Sequence, residues 1–175
     1  MPNWTLIGSS NVTSAVNEIL FNSISGTYND LVLFVSSVFM DNTASPNNMS
    51  FFVQVNGVTS GGLYAARILR YTNSNGVGGG SSGSQNTGEI TWAGDSISQT
   101  YGSSWVWHIN EYANTNFRKQ ITGGGGNARQ GNGAEGVTGW LYNANTAISS
   151  IRFYPQRGNF TTGTQLHLYG IKAAV

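Results

Sequence analysis

Acid–base chemistry in this chain would have to come from two histidines and seven carboxylates. His108 and His167 lie far apart in sequence, each on an alternating, aromatic-rich stretch. His108 and Glu111 are not at the spacing that puts two residues on one strand face. The carboxylates Glu18, Asp30, Asp41, Glu89, Asp95, Glu111 and Glu135 are scattered. A glycosidase needs two facing each other at roughly 5 to 10 Å, and no local motif pairs any of them. Asp30 and Asp41 fall at strand ends without the alternating-Asp spacing of a calcium loop, so they read as turn caps. With no cysteine, thiolate nucleophiles, disulfides and thiolate metal sites are excluded. The runs VGGGSS at 77–82 and GGGG at 123–126 have neither a following Lys-Ser/Thr pair nor a helix start, and so lack what a phosphate loop requires. The chain reads as non-enzymatic, with no cofactor and no metal site.

The aromatic residues are the richer inventory. Five tryptophans stand with eight tyrosines and eight phenylalanines. Flat aromatic faces beside Asn and Gln can stack on sugars, but Trp105 and Trp107 share one strand face and read as core. Trp92, beside a Gly- and Ser-rich stretch, is the exposed candidate. Tyr101 and Arg129 complete the set of candidate ligand or partner contacts. The Asn-x-Ser/Thr matches at Asn3, Asn11, Asn48 and Asn159 are what so Asn- and Thr-rich a chain contains by chance.

The elements that must position these residues are strands. Only 9% of residues are charged against 39% hydrophobic, and the polar remainder is Gly, Asn, Ser and Thr. Such residues supply turns between strands and disfavour helix. Alternation and apolar runs mark strands at 4–7, 15–21, 28–40, 51–55, 63–71, 89–93, 103–112, 117–121, 137–142 and 147–154; 63–71 fits helix spacing as well and is read as strand from its context, and 15–21 also admits a helical turn. Leu31 to Val35 runs without a polar break, as a mid-sheet strand buried on both faces would. Asn56-Gly57 predicts a tight hairpin turn. Residues 72–88 and 123–136, nearly all small and polar, predict two long exposed loops.

The last stretch, residues 151–172, predicts an antiparallel pair around a turn at 156–163, its return strand closing a sheet. Gly170 there marks a place with no room for a side chain. The reading is a single all-β domain spanning residues 1–175, an antiparallel β-sandwich, jelly-roll-like, with long Gly/Ser/Asn-rich loops. At this length one core buries roughly two-thirds of the unfolded surface. A net charge of +1 with scattered Lys and Arg argues against nucleic acid as a partner. No apolar run approaches the roughly 20 residues of a membrane span. Met1 leads directly into Asn3-Trp4-Thr5, without the basic and apolar segments of a signal peptide.

Three segments carry a family resemblance: NWTLIGSS at 3–10, SISGTYNDLVLFVSSV at 23–38 and GNFTTGTQLHLYGIK at 158–172. They resemble recurring segments of small structural proteins of tailed bacteriophages, including capsid decoration (cement) proteins and tail-fibre modules. The likeness frames both ends and fades between residues 72 and 136. It implies a β-sandwich displayed on the virion, made in the host cytoplasm, commonly a homo-oligomer (trimer or dimer), with no catalytic residues to carry over. Expected partners are the major capsid protein or other virion proteins. The alternative is a tail-fibre or receptor-binding module that holds a host-surface glycan.

Overall fold

The computed structural model describes residues 2–41, 49–58, 64–72, 76–85, 88–93, 102–127 and 134–173. They form strands β1 (Asn3–Asn11), β2 (Ile19–Phe21), β3 (Asp30–Val38), β4 (Met49–Val55), β5 (Tyr64–Thr72) and β6 (Gly76–Gln85), then β7 (Gly88–Ala93), β8 (Ser103–Ile109), β9 (Lys119–Asn127), β10 (Ala134–Tyr142), β11 (Ile151–Pro155) and β12 (Gln165–Lys172). The described residues contain no helix. Alternation decides which face each strand buries: Trp105, Trp107 and Ile109 of β8, Ile151 and Phe153 of β11, and Leu166 and Leu168 of β12 point inward.

Two antiparallel sheets result. One has eight strands in the order β1-β12-β3-β8-β9-β10-β5-β6, the other four in the order β2-β11-β4-β7. The quartet β1-β12-β3-β8 pairs with β2-β11-β4-β7 in the strand order of a double Greek-key jelly roll. The hairpins β5–β6 and β9–β10 are insertions that prolong the larger sheet beyond β8. The core between the sheets is built by Leu31, Leu33 and Val35 from β3, Phe51, Val53 and Val55 from β4, and the inward residues of β8, β11 and β12. β3 is internal, between β12 and β8, as its unbroken apolar run predicts.

Several expectations need correction. Residues 151–172 are not a hairpin: β11 lies in the small sheet and β12 in the large one, internal between β1 and β3. Phe160, in the connection, exchanges backbone hydrogen bonds of 3.0 and 2.8 Å with Val16 and also bridges to Met40, which carries the chain across the sandwich instead of back on itself. Gly170 does lack room, since a Cβ there would sit 2.4 Å from Tyr28 Cγ. The strand expected at 15–21 shortens to Ile19–Phe21, and the one expected at 147–154 begins only at Ile151.

Asn56 and Gly57 do form a tight turn, with φ of 53° and 65° and a 3.0 Å bond from Val58 N to Val55 O. It closes no hairpin, because β4 pairs with β11 and β7. The Asn56 side chain instead accepts from Ser149 N at 2.8 Å and donates to Ala147 O at 2.7 Å, tying down the approach to β11.

The largest correction concerns the glycine-rich stretches. Residues 76–85 form β6, paired along its length with β5, and GGGG lies inside β9. The register explains why glycine is needed in β9: Trp105 is opposite Gly125 and Trp107 opposite Gly123. A Cβ at Gly123 would lie 2.2 Å from Val106 O and 2.4 Å from Trp107 Cδ1, and one at Gly125 would lie 2.1 Å from Ser104 O and 2.6 Å from Trp105 Cδ2. The two indoles lie over the bare strand, stacked 5.6 Å apart at 5°. Trp107 spans β9 completely, donating from Nε1 to Thr138 Oγ1 on β10 at 3.1 Å.

Gly123→Ala is therefore expected to destabilise by about 3 kcal/mol or more, the upper range of overpacking. Gly139→Ala, whose Cβ would meet nothing within 4 Å, should stay within about 0.5 kcal/mol of the parent. Equal melting temperatures for the two variants would refute this packing. Leu33→Ala should cost about 2–5 kcal/mol in denaturant unfolding if β3 is the core strand described.

Candidate functional site

None of the candidate contacts singled out from the sequence has its side chain among the described residues. Trp92 lies on β7 opposite Ser50; its side chain, Tyr101 and Arg129 lie outside what is described. Four of the described carboxylates have structural partners. Asp41 takes the Asn159 backbone N–H at 2.5 Å and its Nδ2 at 3.2 Å, and Asp30 takes the Glu111 N–H at 2.8 Å. Both are the turn caps expected of them. Glu18 accepts from Arg152 Nε at 2.5 Å, and Glu111 accepts from Asn114 Nδ2 at 3.4 Å. His108 Nε2 sits 3.3 Å from Asp30 Oδ2 but off the line of a hydrogen bond. Among the described residues no three His, Asp or Glu side chains group to hold a metal.

What the structure does assemble is a surface on the outward face of the large sheet. Cross-strand neighbours share a side, and the register aligns their side chains in rows. One row reads His167, Phe34, Val106, Gly124, Val137 and Leu69 from β12 to β5. The adjacent row begins Leu6, Tyr169 and Val32, and Trp4 stands beyond Leu6 on β1. Trp4, Phe34 and Tyr169 form an aromatic cluster with centroid separations of 5.6 to 6.1 Å. Water reaches much of this band: Trp4 is 47% exposed, Leu6 51%, Leu69 53%, Val106 42% and Val137 57%. Singly exposed apolar residues are ordinary, but a contiguous band on one face marks a contact surface.

Where the sheet face ends, beyond β8, β9 and β10, lies an open groove of about 540 Å³. Asn110, Gln120 and Leu141 line it together with Asn116, Phe117, Arg118 and Asn145. The connection between β8 and β9 is held by hydrogen bonds at several points. Asn114 N–H bonds to Glu111 O at 3.0 Å, and Asn116 N–H to Asn114 Oδ1 at 2.8 Å. Lys119 was expected on an exposed strand at 117–121; instead the strand begins at Lys119, and this side chain is fully buried. Its Nζ donates to Asn114 O and, at 2.7 Å, to Phe117 O. Burial pushes the Lys119 ammonium below its ordinary value. Burial likewise raises the Tyr112 phenol, which donates to Ser25 O and holds the loop from its other side. The signal for Lys119 was present in the sequence: it shares the inward parity of Ile121, Gly123 and Gly125.

Fold and surfaces together define a class: a jelly-roll β-sandwich with an extended sheet whose solvent face carries an apolar band and is amide-lined at one end. No family model and no curated protein matches the chain. Among solved structures it is similar to the marine PL-14 alginate lyase from Aplysia kurodai, at 10% identity over 95% of this chain and 97% of that one, with a TM-score of 0.36.

Lys119→Met keeps the stem volume but removes both donors, and is expected to cost about 1–3 kcal/mol. Amide exchange at residues 111–118 should accelerate more than in the β3 core. Unchanged exchange in that loop would show that Lys119 does not hold it.

Proposed function

We propose that this chain is a non-enzymatic virion structural protein, a capsid decoration protein that assembles through the outward face of its large sheet and stabilises the shell to which it binds. The observation that carries the reading is the exposed apolar band from Trp4 and Leu6 to Val137 and Leu69. The partner on that face is a second copy of the chain. Trp4, Leu6, Phe34, Val106, Val137 and Leu69 carry no charge to repel their own image across a two-fold axis. Eight strands spaced ~4.8 Å apart and 7 to 10 residues long present a face of about 1,000 Å², more than the ~800 Å² that one partner contributes to a stable interface. An oligomer so formed bridges neighbouring shell subunits, and binding only the assembled shell stabilises it by linkage. The resemblance of the end segments to phage structural proteins supports the same reading, as does the engagement of Glu18, Asp30, Asp41 and Glu111 in structural contacts.

The test is sedimentation, alone and with empty capsids of the encoding phage. The parent protein is expected to be a dimer or trimer and to pellet saturably with capsids. Leu69→Asp combined with Val137→Asp should give folded monomers that remain in the supernatant. A parent chain that stays monomeric and ignores capsids, while a glycan array run in parallel shows a ligand, would overturn decoration in favour of a receptor-binding module.

A further inference from the structure

We propose that the groove at the end of the large sheet is a saccharide site, selective for oligosaccharides that carry carboxylate groups. Four amide side chains, Asn110, Asn116, Gln120 and Asn145, line it, and none is hydrogen-bonded to another described side chain or backbone group. Each presents both donors and an acceptor, the combination that matches a sugar hydroxyl, itself donor and acceptor at once. Phe117, 46% exposed, supplies an apolar plate for the C–H face of a pyranose, with the Lys119 ammonium 5.7 Å from its ring centroid.

The ionic character of the groove sets the class of sugar. Arg118 is the charged side chain that lines it, and no carboxylate lies among the lining residues. A guanidinium binds a carboxylate through two parallel N–H···O bonds, so a uronic acid gains there what a neutral hexose does not. The volume falls within the ~300–1,000 Å³ of small-ligand sites. Pre-organisation makes such a groove effective: the backbone carrying Asn116, Phe117 and Arg118 is already fixed by Lys119, so little ordering cost falls on the ligand. Among the described residues no acid–base pair lines the groove, and Glu111 nearby accepts from Asn114 Nδ2.

The test is an NMR titration of the isotopically labelled protein with a galacturonate tetrasaccharide and a hyaluronan tetrasaccharide, and with cellotetraose as the neutral counterpart. Amide shifts are expected in residues 110–120 and 141–145, with at least one acidic sugar binding about tenfold more tightly than cellotetraose at low salt. Phe117→Ala should weaken every sugar by about tenfold, as truncating a central aromatic contact does. Arg118→Gln should erase the preference for acidic sugars and leave cellotetraose unaffected. Melting curves check that both variants are folded, as their exposed positions predict. Silence of those residues with all three sugars, or binding indifferent to Phe117→Ala, overturns the proposal. It stands apart from the assembly reading: Leu69→Asp with Val137→Asp should keep the sugar-induced shifts, and Phe117→Ala should keep oligomerisation and capsid binding.

Discussion

The structure depends on two indoles lying across a strand that has no side chains to oppose them. Trp105 and Trp107 occupy the space that Cβ atoms at Gly125 and Gly123 would need. Trp107 reaches past β9 to Thr138 of β10. A jelly roll would end its large sheet at β8. Here the tryptophans of that last jelly-roll strand clamp the next two strands against the core, and the sheet continues through β10 to β5 and β6. Val137 and Leu69 in the apolar band, and Gln120 and Leu141 lining the groove, all stand on this extension. Both surfaces are thus consequences of one packing arrangement.

Much of the framework was legible in period-two alternation, because a residue that faces a core is apolar wherever the chain meets that core. β3, β8 and β12 were readable for this reason, and so was the crowding at Gly170. The glycine stretches misled because composition was weighed strand by strand. By itself GGGG buries nothing, which favours a loop; beside two tryptophans in register, the missing side chains are what permits pairing. That information sits on β8, and only the register joins the two. Asn56-Gly57 had its turn geometry written locally, whereas the destination of the following chain was not a local property.

The surfaces were harder to read than the strands. Trp4 and Leu6 alternate as a core-facing pair would, yet they point to water, because the edge strand β1 turns that parity to the outside of the sheet. Lys119 read as surface by type and was core by parity. Its burial is tolerated because two backbone carbonyls receive the ammonium, so a residue usually found in solvent became the fastener of a loop. Asp30 and Asp41 were read correctly as caps because a turn's need for an acceptor is local. A sequence can state such local needs, whereas the assembly of a flat face from six or more strands is decided only when all are in register.

The strand order also has a consequence in time. Among the described strands β1 pairs with β12 alone and β2 with β11 alone, so the first two strands of the sandwich have its last two as their sheet partners. The sandwich cannot close until β12 has been made, and so many pairings between distant segments place folding on the slow side of the range for domains of this size. Through that interval Trp4, Leu6 and Leu20 stand on strands with open edges, when the nascent chain most needs a chaperone or dilution to avoid pairing with its neighbours.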